Sequence, residues 1–592
     1  MDFKNKLIRY CNKVVLILII FSCIVPNSQA LSIHEFSQSK KSIPFPTLES
    51  LNATWTLMMY LDGDNDLEVT AVDILKQCEK GLTNIQQITI VAMIDRINNF
   101  YGLDGNWLDT RIFLVKPDDH DGIDSELLET LNEMNMGSSS TLEYFLTYCL
   151  TNFPADNYLL NIYDHGNGVF GICQDFTNND ILTLNEIQIA LHSSFLISEV
   201  DSLDIICFSA CNMATLEVAY ELRNYAQYFL ASEASTLTGN LNWDDIIDRL
   251  EEKSMSVKTF VDEIILSCSL KWSETNDART FSVIDLTQLD SISELNPFTN
   301  LLQSNLENLT IFESLISIRK LAQGFDDMMY QINPISYLNK KLTNTIYIDI
   351  INFLSLLQKD SLIAFIPGLN SSITILLAQL EKVIVGNFQH TLFTGKANGL
   401  MIFYPFNEYN LMKEYVENYC EGKNECLNVD FLHQFSWTNF LAEFYYQDKD
   451  NDSLVDWYEM EIHSDPQNNE SLAIGVEDSM VDIDFDSLIN LYEYQNGSDP
   501  ILLDTDFDQL SDYQEVVIYG TLPFMFDSDQ DGFSDYTEIK QGTDPLDKTN
   551  FPKTKRFFEI GLPILIIIPS LIIISILFSV IKNKRLKRLE KV

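Results

Sequence analysis

Apolar runs of strand length alternate with longer amphipathic segments from Trp55 onward in this 592-residue chain. A strand that is buried on both faces reads as a continuous apolar run, and such strands belong to parallel sheets covered by helices on either side. The alternation therefore predicts an α/β domain with a mostly parallel sheet. The predicted strands are Trp55–Leu61, Ile88–Ile94, Arg111–Val115, Tyr158–Tyr163, Ile205–Phe208, Tyr228–Ala231, Phe281–Asp285 and Gly399–Tyr404. The predicted helices are Val69–Lys80, Thr141–Leu150, Asn185–Phe195 and Thr215–Tyr225.

Two of these strands run directly into residues that can perform acid–base and nucleophilic chemistry. His165 and Gly166 follow one strand, and Ser209 and Cys211 follow another. Sites in open parallel sheets lie beyond the carboxyl ends of the strands. An imidazole beside a thiol can accept its proton and pass it to a leaving amine.

The pattern thus predicts His165 and Cys211 as a catalytic pair, with the N–H groups of Gly166 and Cys211 as an oxyanion hole. We also expect a helix to begin at Cys211, because a helix amino end favours a thiolate. On spacing alone, a turn histidine and a buried cysteine remain the alternative. Five other cysteines lie mostly in apolar segments and are predicted to be buried thiols, namely Cys78, Cys149, Cys173, Cys207 and Cys268.

An acidic module begins near Asp448, since residues 448–550 contain 27 Asp or Glu and three Lys. Four segments repeat Asp at positions 1, 3 and 5, with Asp or Asn at position 9 and Glu at position 12. This is the spacing of an EF-hand loop, in which oxygen ligands surround a calcium ion. Position 6 is usually glycine, but only Gly532 meets that requirement here, and a disordered acidic spacer is the alternative. The predicted metal ligands are Asp448, Asp450, Asp452, Asp456, Glu459, Asp482, Asp484, Asp486, Glu493, Asp504, Asp506, Asp508, Asp512, Glu515, Asp527, Asp529, Asp531, Asp535 and Glu538.

The two ends of the chain predict secretion and membrane anchoring. Residues 1–30 combine a basic flank with a short apolar run, which is typical of a signal peptide, and residues 31–51 are a polar linker or pro-segment. Residues 557–581 contain an uncharged stretch long enough to span a bilayer, and the basic tail 582–592 predicts a cytoplasmic carboxyl end. The expected location is therefore the cell membrane, with the ectodomain outside. The formal net charge of −48 argues against a nucleic-acid partner.

Several segments resemble the clostripain family of cysteine peptidases. They are Tyr60–Glu68, Tyr163–Gly166, Ala210–Met213, Glu217–Leu222, Ala231–Glu233 and Gly399–Pro405. The resemblance spans residues 52–445 and implies a caspase-like sandwich with endopeptidase activity on proteins or peptides through His165 and Cys211. The acidic module, residues 446–552, is similar to thrombospondin type 3 repeats, which implies a calcium-bound stalk.

Two departures from the family pattern affect the predicted function. Family members usually carry Asp two residues before the cysteine, where this chain has Ser209, and a hydroxyl cannot pair with a basic P1 side chain. Asp64 and Glu233 are the other predicted substrate-binding residues. No Lys or Arg lies between His165 and Cys211, so we expect no cleavage at a basic residue there. The alternative function is a catalytically silent homologue that serves as a calcium-stabilised surface adhesin.

Overall fold

A nine-stranded sheet with helices on both faces is followed by a series of short acidic loops. The computed structural model describes residues 53–83, 87–97, 107–120, 122–235, 241–252, 255–273, 275, 279–326, 345–406, 416, 419–420, 429–529 and 531–552. The predicted signal peptide, linker, membrane span and basic tail lie outside these residues. Within the described ranges, no helix is both long and apolar enough to cross a membrane.

The large sheet has the strand order β13-β10-β9-β8-β5-β1-β2-β3-β4. In chain order the described strands are β1 (Ala53–Leu61), β2 (Ile88–Ile94), β3 (Arg111–Leu114), β4 (Glu126–Thr130), β5 (Ala155–Tyr163), β6 (Ile172–Asp175), β7 (Asp180–Leu182), β8 (Leu203–Ser209), β9 (Ala226–Ala231), β10 (Thr280–Asp285), β11 (Gly324–Asp326), β12 (Thr345–Asp349), β13 (Ile384–Gln389) and β14 (Met401–Phe406). The central strands β9, β8, β5, β1 and β2 are mutually parallel, and the strands at each edge pair antiparallel. The predicted α/β class and mostly parallel centre are therefore confirmed. Strands β11, β12 and β14 form a separate small sheet, and β6 and β7 form a hairpin.

Alternate residues of β1 face two different hydrophobic cores. Met58 and Tyr60 pack into one core, whereas Leu57, Met59 and Leu61 pack into the other. Burying each side chain of this size contributes about 1.5–3 kcal/mol, so both faces favour an apolar residue at every position. This two-sided burial explains the continuous apolar run in the sequence.

The helices of the described residues are numbered here in chain order. The described helices are α1 (Glu68–Gly81), α2 (Ser139–Asn152), α3 (Leu184–Ser198), α4 (Leu216–Leu222), α5 (Trp243–Glu252), α6 (Val257–Trp272), α7 (Leu295–Gln303), α8 (Leu309–Leu321), α9 (Ile350–Lys359), α10 (Leu369–Val383), α11 (Asp430–Gln434), α12 (Trp437–Tyr446), α13 (Asp456–Ile462), α14 (Asn490–Asn496) and α15 (Asp535–Gln541), with a π-helix at Gln514–Tyr519. Short 3₁₀ turns lie at Gly168–Phe170, Leu286–Ser291, Ile363–Phe365, Thr391–Phe393 and Asp478–Met480. Thr183 and Glu186 form a reciprocal capping box at α3.

The expectation that a helix begins at Cys211 is wrong. The Thr215 hydroxyl accepts a hydrogen bond from the Val218 N–H group and starts α4 at Leu216. Cys211 instead lies in a turn, where the next residue, Asn212, has a φ of 56°. The local dipole of α4 therefore does not account for any activation of this thiol.

Candidate functional site

His165 and Cys211 lie at equal distances along the chain beyond a pair of parallel strands. The last paired residues of β5 and β8 are Tyr163 and Ser209, and each reactive residue follows two positions later. Neighbouring strands are about 4.8 Å apart, so the pairing places the two residues side by side at the carboxyl edge of the sheet. The register concerns the backbone of β5 and β8, and the pairing of the His165 and Cys211 side chains stays a prediction.

Gly166 is the point at which the two reactive loops touch. A Cβ atom on Gly166 would lie 2.4 Å from the carbonyl oxygen of Cys211 and 2.9 Å from the Cβ atom of Ala210. A side chain cannot occupy that space without displacing the backbone of the cysteine loop. The absence of a side chain at position 166 therefore lets the histidine loop lie directly against the cysteine loop.

The histidine is held by a carboxylate that the sequence analysis did not assign to it. The Nε2 atom of His165 lies 2.8 Å from Oδ1 of Asp66, in the segment between β1 and α1. This hydrogen bond lowers the pKa of Asp66. An ionised carboxylate beside an imidazole orients the ring and stabilises its protonated form. The signal that could have located Asp66 is the order of the strands, because β1 lies beside β5.

Cys211 is itself buried, at 4% exposure, and lies beside a hydroxyl group. Its sulfur lies 3.6 Å from the Ser235 hydroxyl, at the edge of the sheet. Burial raises the pKa of each of the five cysteines predicted to be buried, that of Cys268 to about 12. All five are buried in this structure, as expected.

The backbone around Gly166 forms a short bridge with the start of β6. Gly166 faces Ile172 in an isolated antiparallel bridge. The hydrogen bonds of that bridge run from Cys173 N–H to the His165 carbonyl and from Asn167 N–H to the Gly171 carbonyl, at 3.2 and 2.9 Å. The bridge therefore does not use the N–H group of Gly166, one of the two predicted oxyanion donors.

The acidic module contains five loops of one backbone design, one more than the sequence revealed. Each is named here by its first residue: the 448, 470, 482, 504 and 527 loops. In every loop the position 6 N–H group donates to the carboxylate at position 1, at 2.7–3.2 Å. The position 9 N–H group donates to the carbonyl that precedes position 1. The 470 loop was missed because Leu472, Ile474 and Val481 replace its acids at positions 3, 5 and 12.

Non-glycine residues adopt the left-handed turn at position 6. Ser453, Ser487 and Gln509 have φ values of 81°, 89° and 88°, close to the 98° of Gly532. Side chains seldom adopt this conformation, which costs about 1–3 kcal/mol at such a residue. The missing glycines therefore do not prevent the loop from forming.

The acids at position 9 accept hydrogen bonds from the residue at position 2 of the same loop. The Asp512 carboxylate accepts hydrogen bonds from the N–H and hydroxyl groups of Thr505, and the Asp535 carboxylate accepts the same pair from Ser528. Asp456 likewise accepts from the N–H and ammonium groups of Lys449. The role of Asp456, Asp512 and Asp535 as metal ligands stays a prediction, and these hydrogen bonds show a structural role for each of them.

The remaining acids leave buried oxygens without hydrogen bonds. Such oxygens occur on Asp450, Glu459, Asp484, Glu493, Asp504, Glu515, Asp529 and Glu538. Burial and neighbouring carboxylates raise the pKa of Glu459 and Glu493 to about 9 and that of Glu538 to about 8. Converging, poorly solvated carboxylates of this kind fit a hard cation with oxygen ligands.

Position 5 joins each of three loops to the next one. Oδ2 of Asp486 accepts from the Tyr513 N–H group and Oδ2 of Asp508 from that of Tyr536, both at 2.7 Å. Asp452 makes the same contact with Ser479 at 3.1 Å. The loops are therefore fixed to one another through the same carboxylates that are predicted to bind calcium.

The sequence profile of the clostripain family, Peptidase_C11, matches residues 59–457, which is most of the chain. The chain belongs to the clostripain family. The profile of the bacterial TSP3 repeat matches residues 527–548, the last of the five loops. The boundaries of the family match enclose both reactive residues and extend into the 448 loop.

Individual relatives are distant. The clostripain of Hathewaya histolytica is 28% identical over 230 residues, which cover 34% of this chain and 43% of that protein, so the match spans less than half of the relative. A secreted C11 cysteine protease of Bacteroides thetaiotaomicron, solved with an irreversible peptide inhibitor, is 16% identical, with a TM-score of 0.45, and covers 64% of this chain and 99% of that one. An inactive zymogen C11 protease of Parabacteroides distasonis is 18% identical, with a TM-score of 0.45, and covers 63% and 97%.

In this clostripain-family chain, all three predicted substrate-binding residues are buried. Glu233 is fully buried and accepts a hydrogen bond from the Gly399 N–H group at 2.9 Å. Asp64 is 1% exposed, and its Oδ2 atom accepts from the Thr177 N–H group. Both carboxylates are thus hydrogen-bonded to neighbouring backbone, and the substrate-binding role of Asp64 and Glu233 stays a prediction.

Ser209 occupies the position at which clostripain-like chains usually carry an aspartate. Its hydroxyl donates to Oδ1 of Asn161 at 2.6 Å, and the residue is 2% exposed. Both residues belong to the paired strands that carry the reactive loops. Ser209 therefore brings no negative charge to the edge of the sheet beside Cys211.

A buried carboxylate joins the histidine loop to its neighbours. Asp164 accepts hydrogen bonds from the Asn65 amide at 2.8 Å and from the Gln174 N–H group at 2.5 Å. Burial raises the pKa of Asp164 to about 8. These contacts fix the segment after β1, which carries Asp66, against the end of β5, which carries His165.

Proposed function

We propose that this chain is a cysteine endopeptidase that uses His165 and Cys211 as a catalytic dyad. The observation that carries the proposal is the strand register that places both residues two positions beyond the paired ends of β5 and β8. The backbone contact at Gly166 supports it, and membership of the clostripain family supports hydrolysis of peptide bonds as the reaction.

Each residue has a defined part in the proposed reaction. His165 takes the proton of the Cys211 thiol, and the thiolate attacks the scissile carbonyl carbon. The N–H groups of Gly166 and Cys211 hold the developing oxyanion. His165 then delivers its proton to the leaving amine, and water hydrolyses the acyl-enzyme. Asp66 holds the imidazole in place throughout.

We expect a P1 preference that does not require a basic residue. Ser209 is neutral, and Asp64, considered as a substitute for a P1-binding acid, is buried. A hydrogen bond to a charged group contributes about 1.5–3 kcal/mol, against about 1 kcal/mol for a neutral one. Ser209→Asp should therefore raise kcat/KM for a P1 arginine relative to a P1 leucine by roughly fivefold. If the unaltered chain and Ser209→Asp have the same ratio of kcat/KM for P1 arginine to that for P1 leucine, position 209 does not determine the P1 preference.

Calcium is the ion we propose for the 448, 482, 504 and 527 loops. The fit rests on buried carboxylate oxygens that have no hydrogen-bond donor, including oxygens of Asp450, Asp484, Asp504 and Asp529. The acids at positions 1, 3, 5 and 12 would hold the ion, which would neutralise their mutual repulsion. Chelation should then lower the melting temperature of this module and increase its sensitivity to proteases. An unchanged melting temperature would exclude a structural calcium there.

The proposed location is the outer face of a cell membrane. It rests on the sequence of residues 1–30, 557–581 and 582–592, whose patterns indicate secretion, one membrane span and a cytoplasmic tail. Protease digestion of intact cells tests the orientation, because only an external ectodomain would be removed.

The deciding experiment is cleavage of a P1-diverse fluorogenic peptide library by the full chain in the presence of calcium. Cys211→Ala should abolish turnover, whereas Cys268→Ala, which alters a buried cysteine, should retain it. Turnover that persists in Cys211→Ala would exclude the dyad. Absence of turnover in the unaltered chain would favour the alternative of a silent surface adhesin.

A further inference from the structure

We infer that one strand of the small sheet, β12, positions both reactive loops through Tyr347 and Asp349. These residues are two positions apart, so their side chains lie on the same face of the strand, and both are fully buried. Tyr347 contacts the histidine loop, residues 164–171. Asp349 reaches the cysteine loop, residues 210–215, through Glu233. Because both residues act on the dyad of His165 and Cys211, the inference rests on the proposed function.

The Tyr347 hydroxyl is the link to the histidine loop. It accepts a hydrogen bond from the Val169 N–H group at 2.9 Å and donates one to the Asn167 carbonyl at 3.0 Å. Asn167 and Val169 follow His165 by two and four residues. One hydroxyl group thus satisfies a donor and an acceptor in the backbone that turns directly after the histidine.

Gly168 lets the histidine loop approach this hydroxyl. Its φ is 57°, and a Cβ atom at this position would overlap the hydroxyl oxygen of Tyr347. A residue other than glycine would therefore push the histidine loop away from β12. The Tyr347 ring also packs edge-to-face against Phe403 of β14, with 5.9 Å between the ring centroids. The small sheet therefore holds the ring whose hydroxyl holds the loop.

Asp349 acts on the cysteine loop through a second buried acid. Its carboxylate accepts hydrogen bonds from the N–H groups of Asn352 and Asn398 and from the carboxyl group of Glu233. Burial and the charge of Asp349 raise the pKa of Glu233 well above its ordinary value, so Glu233 keeps the proton that this hydrogen bond needs. Glu233 accepts in turn from the Gly399 N–H group at 2.9 Å.

Glu233 belongs to a segment that runs along the cysteine loop. The Ser232 carbonyl, one residue before it, accepts a hydrogen bond from the Ala214 N–H group at 2.9 Å. The Ser235 hydroxyl, two residues after it, lies 3.6 Å from the sulfur of Cys211. Holding Glu233 therefore holds the residues on both sides of it that contact the cysteine loop.

The start of β14 gives Asp349 a second connection to the same loop. Asp349 is opposite Met401 in the small sheet. The Met401 N–H group donates to the Ala214 carbonyl at 2.8 Å, and Met401 also forms an isolated parallel bridge with Thr215. The end of β12 is thus joined to the cysteine loop through Glu233 and through Met401.

A positioning role and a purely structural role predict different results for the removal of the Tyr347 hydroxyl. A hydroxyl that only stabilises the fold affects the melting temperature and leaves turnover in the folded protein unchanged. A hydroxyl that positions His165 affects kcat in the folded protein, because a shift of about 1 Å between reacting groups costs roughly 100-fold.

Peptide cleavage by the full chain, at a temperature at which every variant is folded, distinguishes these roles. Tyr347→Phe should lower kcat at least tenfold and change KM less than threefold. Tyr404→Phe is the matched control, because the Tyr404 hydroxyl is also buried in the small sheet but has no hydrogen-bond partner among the described residues. Equal kcat values for the two variants would overturn the positioning role of Tyr347.

A second pair of variants tests the connection to the cysteine loop. Glu233→Ala removes the hydrogen bonds to Asp349 and Gly399, whereas Glu233→Gln can still donate to the first and accept from the second. The kcat of Glu233→Gln should exceed that of Glu233→Ala at least tenfold, and equal values would overturn this connection. If Glu233→Ala does not fold, Glu233→Met replaces it, since methionine has a similar volume and cannot make either hydrogen bond strongly.

Hydrogen exchange tests the contact with the histidine loop without relying on turnover. In the full chain with Cys211→Ala, adding Tyr347→Phe should speed exchange in the peptide that contains Val169 at least tenfold, and adding Tyr404→Phe should not. Unchanged exchange would overturn the contact. If the unaltered chain cleaves no peptide, the proposed dyad fails, and the exchange rates alone then decide whether β12 holds the histidine loop.

Discussion

The absence of a side chain at Gly166 allows the loop that carries His165 to lie against the loop that carries Cys211. Its Cα hydrogen occupies a space in which a methyl group would lie 2.4 Å from the Cys211 carbonyl oxygen. We expect Gly166→Ala to reduce kcat/KM by roughly 100-fold or more, because a shift of about 1 Å between reacting groups has an effect of this size. Gly122→Ala is the matched control, since no atom lies within 4 Å of its added Cβ. Peptide cleavage assays of both variants provide the measurement, and equal activity would contradict the close contact.

Glu233 is expected to influence stability and not substrate choice. Burial and the neighbouring Asp349 raise its pKa well above the ordinary value of 4.5. The folded chain therefore retains a proton that the unfolded chain releases, so this group makes the protein less stable as the pH rises from about 5 to 8. Glu233→Gln cannot ionise and should lose less stability over that range.

Thermal melts across that pH range, together with the P1 profile, test this assignment. Glu233→Ala serves as the contrast, because it leaves the Gly399 N–H group without its acceptor and should cost about 1–3 kcal/mol. A P1 preference altered by Glu233→Gln would support the substrate-binding role predicted for this residue.

At the scale of residues, the sequence pointed to His165, Gly166 and Cys211 because each follows a strand end or belongs to a family motif. It did not point to Asp66 as the histidine partner. That contact depends on β1 lying beside β5, and strands that are distant in the chain become neighbours only through tertiary packing. The sequence did not predict the burial of Asp64 and Glu233, because burial also depends on tertiary packing between distant segments.

At the scale of elements, strands were easier to predict than helix starts. Burial on both faces leaves a strong apolar signal in β1, β2, β5 and β8. The start of α4 depends on one hydroxyl group, that of Thr215, and the pattern of apolar residues does not report it. The sequence did not predict the 470 loop, because the spacing rule depends on acidic residues at fixed positions. The backbone hydrogen bonds of the loop form without most of those acids.

The strained turns of the acidic loops provide a test at this scale. Gln509 has a φ of 88° at position 6 of the 504 loop. Gln509→Gly should stabilise the module by roughly 0.5–1 kcal/mol, because glycine adopts this conformation without steric strain. Calorimetry in saturating calcium measures the change. Gly532→Ala, at the same position of the 527 loop with a φ of 98°, should change stability in the opposite direction.

At the scale of the whole molecule, the 448 loop is packed onto the peptidase domain. Leu454, Trp457 and Tyr458 belong to the same hydrophobic core as the helices that precede them. Lys320 pairs with Glu461, and the Trp457 indole donates to the Tyr445 carbonyl. The amino-acid composition changes near Asp448, where the acidic module begins. Residues on both sides of that point nevertheless belong to one hydrophobic core.

Truncation distinguishes a packed loop from a simple spacer. A chain ending at residue 446 loses this buried contact, whereas a chain ending at residue 481 keeps it. We expect the shorter chain to melt roughly 5 °C or more below the longer one, since losing several buried side chains costs a few kcal/mol. Equal melting temperatures would show that the 448 loop contributes nothing to the peptidase domain.

The hydrogen bonds between successive loops have a consequence for the order in which ions bind. Asp486 and Asp508 each depend on a backbone N–H group of the following loop, so ordering one loop prepares a ligand of the loop before it. The 482, 504 and 527 loops should therefore fill cooperatively. The 470 loop carries Ile474 at the linking position and interrupts that series. Calcium should then leave the chain in two stages, with the 448 loop following the peptidase domain and the last three loops emptying together.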